Sequence, residues 1–378
     1  MAGQRITAVE YIRGVAMLGV VGIHTGACTL TNPNVNLHLF ALLEIVSRFS
    51  VPIFFFVSAF GLFRSHPLER ELNYGQFMLR RFRTVLFPYL TWSIIYMLHY
   101  SLLYHDFSIW KPILVYKYFL FGLASYQLYF LVILLWFYAL FPVWRWMARA
   151  IIRNPAPLLG ILLLLQIVFN YYSCYILRPS AFSNRYLAIL VEYRLSYWVV
   201  HYLFIFMLGA VCAARFTAFI RFTEQFRTAI YCFFASTLAG MLAFYYYLIT
   251  ICQYGPEEAV NIAQQLSPIG VLYTLAACLF LFTFFRQAAI SKPITSALSL
   301  LSEHSYPVYL FHPFLIHYLM KAVTAGGFMM TTTVTALFYL LIVTGSLVFA
   351  IALKQLSYPL PFLGLLLSGK TVTRKTNA

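Results

Sequence analysis

Charged side chains are scarce in this sequence, and acidic ones are the scarcest. Only 10% of the 378 residues are charged, and 10 Asp and Glu residues stand against 26 Lys and Arg residues. Average soluble proteins have about a quarter of their residues charged, so this composition excludes an ordinary soluble domain. Hydrophobic residues make up 62% of the chain, and the mean hydropathy is +0.81. The chain is therefore predicted to be a membrane protein.

Paired cysteine spacings, internal repeats and a soluble domain are also missing. The six cysteines lie singly within apolar segments, without the spacing of zinc ligands or redox dithiols. We interpret them as packing residues and predict no metal ion and no permanently bound cofactor. The lack of repeat symmetry disfavours many transporter folds, which are built from such repeats.

Apolar runs of about 20 residues recur along the chain, and each is long enough to cross a hydrocarbon core of about 30 Å as a helix. Because backbone groups in lipid must be paired within the segment, such uniform runs favour helices over barrel strands. The sequence predicts an all-α polytopic membrane bundle of about ten spans. They are 8–30, 38–63, 85–104, 127–147, 157–177, 196–214, 229–251, 268–285, 305–323 and 333–354.

Positive charge is distributed unevenly between the loops, and this asymmetry predicts orientation. With a cytoplasmic N-terminus, 18 of the 26 Lys and Arg residues fall in inner loops and six in outer loops. Both termini are therefore predicted to be cytoplasmic, and the net charge of +16 is assigned to topology rather than to nucleic-acid binding. Residues 355–378 are predicted to form a short basic cytoplasmic tail, solvated beside anionic membrane lipid.

The first span carries ionisable residues where they are costly. Arg13 and His24 are 11 residues apart, so they share a helix face with about 16 Å between their α-carbons. Glu10 precedes Arg13 by one turn and can pair with it, while Gly22 and Gly26 permit close approach of another helix or a ligand. Such residues indicate a functional site. The structural alternative is a snorkelling Arg13 and an interhelical, hydrogen-bonded His24.

Five sequence elements resemble the acyltransferase-3 family of integral membrane O-acyltransferases, over about residues 5–354. In chain order they are Glu10-x-x-Arg13 with His24, Phe55–Phe60, Arg80–Arg83 followed by Pro88, Leu128–Leu131, and Ser305–His312. Residues 1–354 are therefore predicted to form one acyltransferase-3-like transmembrane domain. Ala59 stands where the family usually has Gly, and Tyr129 and Gln127 stand where it often has Trp and His. These departures concern the subfamily and the acceptor more than the reaction.

The resemblance implies transfer of an acyl group, most often acetyl, from cytosolic acyl-CoA to a hydroxyl of a cell-surface or lipid-linked glycan. It also implies a multi-pass protein of a bacterial inner (plasma) membrane. Arg13, with Arg80, Arg81 and Arg83, would bind the CoA phosphates, because a guanidinium offers bidentate contacts that Lys cannot reproduce. For the loop cluster, the alternative is an ordinary positive-inside loop.

His24 and Arg13 are the predicted catalytic residues, and two roles for His24 stay open. It can act as a general base on the acceptor hydroxyl or carry the acyl group covalently. Ser58, Tyr309 and His312 are predicted to support the site, together with Glu10. The alternatives are packing for Ser58 and a structural hydrogen bond beside Pro313 for His312.

Three further expectations concern other residues and other functions. Glu303 and Ser305 are expected to cap the start of the ninth span. The outer loop between Arg178 and Arg194, which contains Asn184, Arg185, Tyr186 and Glu192, is a candidate acceptor surface. The competing functions are an exporter of lipid-linked saccharide and a structural subunit of a polysaccharide assembly complex.

Overall fold

The computed structural model describes residues 6–370 as a bundle of helices, and no β-strand occurs within that range. Residues 1–5 and 371–378 lie outside the described range. They include Arg5, Arg374 and Lys375, which the sequence assigned to the cytoplasmic face, and most of the basic charge of the predicted tail.

The described residues form eighteen α-helices. They are α1 (Thr7–Cys28), α2 (Leu37–Glu44), α3 (Ser50–Ser65), α4 (Tyr74–Arg81), α5 (Phe87–Tyr104), α6 (Pro112–Phe121), α7 (Tyr129–Ala139), α8 (Phe141–Ile151), α9 (Pro155–Tyr171), α10 (Arg185–Glu192), α11 (Leu203–Ala214), α12 (Phe216–Gln225), α13 (Arg227–Thr250), α14 (Pro256–Ile262), α15 (Pro268–Gln287), α16 (Lys292–Ala325), α17 (Thr332–Leu356) and α18 (Pro361–Ser368). Two π-helical segments, Phe82–Leu86 and Tyr172–Ile176, continue α4 and α9. Short 3₁₀ segments occur at Thr29–Thr31, Ser108–Trp110, Pro179–Ala181, Arg194–Ser196 and Val199–Tyr202.

The prediction of an all-α membrane bundle is confirmed. Within the described residues, five helices are long and apolar enough to cross a membrane, namely α1, α9, α13, α15 and α17, with the 3₁₀ or π segments that continue α1 and α9. The total is seven if two bent pairs each count as one span, α7 with α8 at 69° and α11 with α12 at 102°. The sequence drew continuous spans where the chain folds as two shorter helices, as in α2 and α3. The count of ten and the orientation of the termini stay predictions.

Helix α1 lies at the centre of the bundle and contacts α2, α3, α15, α16 and α17. Glycines make these approaches close. A Cβ on Gly14 would lie 2.6 Å from the Leu298 carbonyl oxygen of α16, and one on Gly26 would lie 2.9 Å from Glu44 Cγ of α2. The glycines beside His24 therefore allow a neighbouring helix to pack closely. Their spacing predicted close approach of either a helix or a ligand.

Helix α16 is a single helix of 34 residues that contains Pro307 and Pro313. The expectation that Glu303 and Ser305 cap its start is wrong, because the helix begins at Lys292, more than two turns earlier. Ser305 Oγ donates to the Ser302 carbonyl oxygen within the helix, at 3.0 Å. Glu303 and Ser305 interrupt the hydropathy pattern without interrupting the helix, because Ser305 bonds within the helix and Glu303 accepts from Lys354 of α17.

The segment after α17 is folded onto the bundle as far as Lys370 and is not a solvated arm. Helix α18 packs against α5, α17 and the π-helical segment Phe82–Leu86. The indole nitrogen of Trp92 donates to the Leu367 carbonyl oxygen at 3.0 Å. Seven of the eight residues of α18 are Pro, Phe, Leu or Gly, and this apolar composition explains why the helix docks on protein or lipid instead of water.

Candidate functional site

A cavity of about 280 Å³ lies beside Arg13, and we call it the inner cavity after the predicted orientation of α1. Its walls come from α1, α3, α4, α7, α16, the π-helical segment and the residue that follows Gly369. Its lining is rich in cations, hydroxyl groups and aromatic rings. The polar and charged lining residues are Arg13, Ser58, Arg81, Thr84, Tyr138, Ser302, Glu303, Ser305, Tyr306, Tyr309 and Lys370.

Only one residue of the predicted Arg80–Arg83 cluster lines this cavity. The Arg81 guanidinium lies 5.1 Å from the ring centroids of both Phe77 and Tyr138, so two aromatic faces hold it in place. Arg80 and Arg83 are exposed and do not line the cavity. Successive residues of a helix point in different directions, so a run of arginines cannot all face one side.

The inner loop after α3 is also rich in positive charge. Burial lowers the pKa of His66, and the nearby guanidinium groups of Arg81, Arg80 and Arg145 act in the same direction, against a hydrogen bond to the Leu62 carbonyl. Because a lowered pKa favours neutral imidazole at pH 7, arginines supply the charge of this loop.

A second and larger cavity of about 780 Å³ opens beside His24, and we call it the outer cavity. It lies between α1, the C-terminal end of α5, the turn before α7 and the second half of α16. Its polar lining consists of imidazole, phenol, hydroxyl, thiol and amine groups. These are His24, Cys28, Thr31, Tyr104, Tyr126, His317, Lys321 and Thr324.

His24 lines the outer cavity, and the buried His312 lies between His24 and Tyr309 of the inner cavity. The rings of His24 and His312 are stacked, with centroids 5.3 Å apart and planes 25° apart. His24 also lies 4.4 Å from Tyr126, measured between ring centroids. His312 is fully buried, its Nδ1 lies 3.2 Å from the Val308 carbonyl oxygen, and its Nε2 makes no hydrogen bond to another described residue. A buried imidazole nitrogen without a partner is costly, which favours a functional explanation for it.

Tyr309 belongs to the same junction. It lines the inner cavity, and its ring centroid lies 6.0 Å from that of His312. Its hydroxyl donates to the backbone carbonyl oxygen of Gln127. The bond ties α16 to the turn before α7, the turn that carries Tyr126 against His24. The supporting position predicted for Tyr309 therefore agrees with the geometry, although its role stays a prediction.

One face of α16 runs along both cavities. Ser302, Ser305 and Tyr309 line the inner cavity, and His317 and Lys321 line the outer one, with His312 between them. Most of these residues follow each other at intervals of three or four positions, which is the repeat of one helix face, and His317 follows His312 by five. On α1, Arg13 lines the inner cavity and His24 lines the outer one. The two helices thus form a seam that runs along a cationic cavity and an imidazole-lined one.

Glu10 and the outer loop lie elsewhere. Glu10 occupies the first turn of α1 and lines neither cavity, and its pairing with Arg13 stays a prediction. Asn184 caps α10 by accepting from the amides of Tyr186 and Leu187, so it has a structural role. Arg194 is buried and donates to the Ser173 carbonyl oxygen at 2.6 Å.

The acceptor surface that the sequence placed on this outer loop is thus separate from the cavity beside His24. Arg178 lines a different cavity, of about 890 Å³, together with Glu257 and Glu258. None of the residues between Arg178 and Arg194 lines the outer cavity. Loop polarity indicated exposure, but it carried no information on distance from His24.

Sequence reasoning missed Tyr126, His317 and Lys370. His317 follows His312 by five positions, which is not the spacing of one helix face, so helix periodicity did not indicate it. Tyr126 lies two positions before the Leu128–Leu131 element. No sequence pattern indicated Lys370, because only the folding of α18 brings it to the inner cavity. Within residues 6–370 no group of three or more His, Cys, Asp or Glu residues is placed to hold a metal ion.

Comparison with known proteins identifies the family. The acyltransferase-3 family, described as an acyltransferase domain, matches residues 6–354. No curated protein and no solved structure shows significant similarity to the chain. The match covers both histidines of the junction and every lining residue of the two cavities except Lys370. The chain therefore belongs to the acyltransferase-3 family and is a membrane acyltransferase.

Proposed function

We propose that the protein transfers an acyl group, with acetyl as the first candidate, from cytosolic acyl-CoA to a hydroxyl of a cell-surface or lipid-linked glycan. We place it in the inner (plasma) membrane of a bacterium. The observation that carries the proposal is the α1–α16 seam, which runs along a cationic cavity and a larger cavity at His24. A transferase for two large substrates needs both of them to reach one set of reacting atoms, and the seam supports such a meeting point.

The inner cavity fits the donor. Acyl-CoA carries phosphate groups, and Arg13 and Arg81 offer planar donors that suit phosphate oxygens. The aromatic contacts of Arg81 restrict its side chain before any ligand binds, which lowers the entropy lost on binding. The thin pantetheine arm would then run along α16 past Tyr309 towards His312 and His24.

The outer cavity fits a saccharide acceptor. It has more than twice the volume of the inner cavity and offers several hydrogen-bonding side chains beside aromatic rings. Such mixed lining, largely apolar with a few placed polar groups, is typical of small-molecule sites. A sugar hydroxyl bound between Tyr126 and His317 would lie on the same side of α1 as the His24 ring.

In a general-base mechanism, His24 takes the proton of the acceptor hydroxyl while its oxygen attacks the thioester carbonyl carbon. A C–O bond forms, the C–S bond breaks, and the proton passes to the thiolate of CoA, which leaves as the free thiol. The stacked His312 ring would limit the orientations of His24 and so keep it aimed at the seam.

In a covalent mechanism, a ring nitrogen of His24 attacks the thioester first, and CoA leaves as the thiol with the imidazole proton. The acceptor hydroxyl then displaces the acyl group and returns its proton to the ring. Both mechanisms use the same residue and differ in the intermediate. Peptide mass analysis after incubation with acyl-CoA alone distinguishes them, because only the covalent mechanism leaves an acyl mass on the peptide that contains His24.

The overall reaction is tested by mass spectrometry of surface glycans from cells with and without the protein. We expect an acyl mass increment on glycan that depends on the protein and on a functional His24. In inverted membrane vesicles, labelled acetyl-CoA added to the exposed cytoplasmic face should label the glycan.

Two outcomes would contradict the proposal. Glycan masses that are identical in both strains would exclude glycan acylation. Movement of unmodified saccharide across the membrane that is lost with the protein would instead favour the exporter, the competing function.

A further inference from the structure

The segment 361–370 lies beyond the family match, which ends at residue 354, yet it reaches the inner cavity. Helix α18 packs on α5, and Trp92 donates to the Leu367 carbonyl oxygen. After the helix the chain turns at Gly369, whose φ is +68°. This turn places Lys370 among the residues that line the cavity, beside Arg13 and Arg81.

The turn depends on Gly369 for two reasons. A φ of +68° is rarely adopted by residues with a side chain. In addition, a Cβ at this position would lie 2.2 Å from the carbonyl oxygen of Thr84, which itself lines the inner cavity. The end of α18 is therefore fitted closely against the cavity wall.

The charges around the cavity favour an anionic ligand. Among the described lining residues the only acidic side chain is Glu303, and its carboxylate pairs with Lys354 at 2.7 Å. Lys354 thus offsets the charge of Glu303, while Arg13, Arg81 and Lys370 contribute three positive charges. Lys370 Nζ donates to the Glu303 backbone carbonyl oxygen at 3.2 Å. An ammonium group has three N–H donors, so this bond is compatible with a contact to a ligand.

We propose that Lys370, held at the mouth of the inner cavity by α18 and Gly369, is a third phosphate-binding residue that this chain adds from outside its family domain. The inference deepens the proposed function and rests on acyl-CoA as the donor. It assigns Lys370 to binding a phosphate of CoA and leaves the chemistry at His24 to the family domain.

The test measures CoA binding to the full-length protein, purified in neutral detergent, by calorimetry. Lys370→Gln removes the charge at an exposed position and should weaken CoA binding about tenfold, because a charge-assisted hydrogen bond is lost. Lys370→Arg keeps the charge and should stay within about threefold of the unmodified protein. Lys292→Gln is the matched control, since Lys292 is exposed at the start of α16 and lines neither cavity.

Gly369→Ala tests the placement of Lys370 without changing any charge. The added methyl group should displace the turn and weaken CoA binding in the same direction as Lys370→Gln. Raising the salt concentration should reduce the difference between Lys370→Gln and the unmodified protein, because salt screens an exposed charge.

A lipid phosphate offers the same chemistry as a CoA phosphate, so a second arm separates the two. The calorimetry is repeated in micelles that contain phosphatidylglycerol. If Lys370→Gln binds CoA as tightly as the unmodified protein in both detergents, the inference is overturned. If Lys370→Gln keeps its CoA affinity but loses the thermal stabilisation that phosphatidylglycerol gives the unmodified protein, the phosphate bound at Lys370 belongs to a lipid.

Failure of the inference and failure of the proposed function give different results. An unmodified protein that does not bind CoA would overturn the donor assignment and, with it, the role of Lys370. An unmodified protein that binds CoA, with Lys370→Gln and Lys292→Gln binding equally well, would overturn the role of Lys370 alone.

Discussion

The inner and outer cavities share two helices, α1 and α16, yet they differ in size and chemistry. The inner cavity has about 280 Å³ and three cationic side chains, whereas the outer cavity has about 780 Å³ and is lined by imidazole, phenol and hydroxyl groups with one amine. A small cationic cavity suits one defined anionic donor, and a wide polar one suits a bulky acceptor. This difference is the basis for the proposal that the two substrates bind separately along one seam and meet near His24.

The largest expected effect is at the junction, where the proposed mechanism uses His24 for both substrates. His24→Ala should lower acyl transfer about 10²- to 10⁴-fold, because a positioned general base or nucleophile is lost. The rate is measured with labelled acetyl-CoA and isolated glycan. His38→Ala is the matched control, since His38 is exposed, contacts Tyr246 at 2.7 Å and lines neither cavity. Equal rates for the two variants would remove His24 from the mechanism.

The next effect should be confined to the donor. Arg13→Lys keeps the charge but loses bidentate geometry, so the KM for acyl-CoA should rise about tenfold while the KM for glycan stays unchanged. Arg83→Lys is the matched control, because Arg83 is exposed and lies outside the inner cavity. A rise in the glycan KM as well would break the proposed division between the cavities.

A smaller effect should be confined to the acceptor. His317→Ala removes one hydrogen-bonding group from the outer cavity, so the KM for glycan should rise about fivefold, as expected for about 1 kcal/mol. The KM for acyl-CoA should not change. Initial-rate measurements at varied concentrations of each substrate check both values, and a change limited to the donor KM would reverse the assignment of the outer cavity.

The smallest effect should occur in the outer loop that the sequence favoured as an acceptor surface. Tyr186 is 78% exposed on α10 and lines neither cavity, so Tyr186→Ala should leave both KM values within about twofold. If this variant instead raised the glycan KM more than His317→Ala does, the acceptor would bind at the loop and the outer cavity would have another use.

The predictability of the site differs from residue to residue for physical reasons. Arg13 and His24 were found because ionisable residues in an apolar helix are rare, and their spacing put them on one face. The sequence indicated Arg81 only as one of three arginines. Which of the three points into the cavity depends on how the helix packs. His312 was indicated by its motif, but its stacking on His24 required the approach of α1 and α16.

The fold, too, was predictable from the sequence only in part. Long apolar runs predicted the longer helices of the bundle, because unpaired backbone groups are too costly in lipid. The predicted spans did not include the shorter helices α4, α6, α10, α12, α14 and α18. Breaks within those runs, such as the 69° bend between α7 and α8, were not predicted, because hydropathy averages over a window and does not register a local turn. For the same reason the polar residues of α16 suggested a helix start in the middle of a continuous helix.

By itself, the sequence determined that the protein is an all-helical membrane protein of the acyltransferase-3 family with Arg13 and His24 on one helix. These properties follow from composition, periodicity and local motifs. Only the tertiary structure decided which arginine joins Arg13, which aromatic and histidine side chains surround His24, and that Lys370 reaches the inner cavity. Such contacts join residues up to hundreds of positions apart, and they depend on how helix surfaces pack rather than on any pattern within one segment.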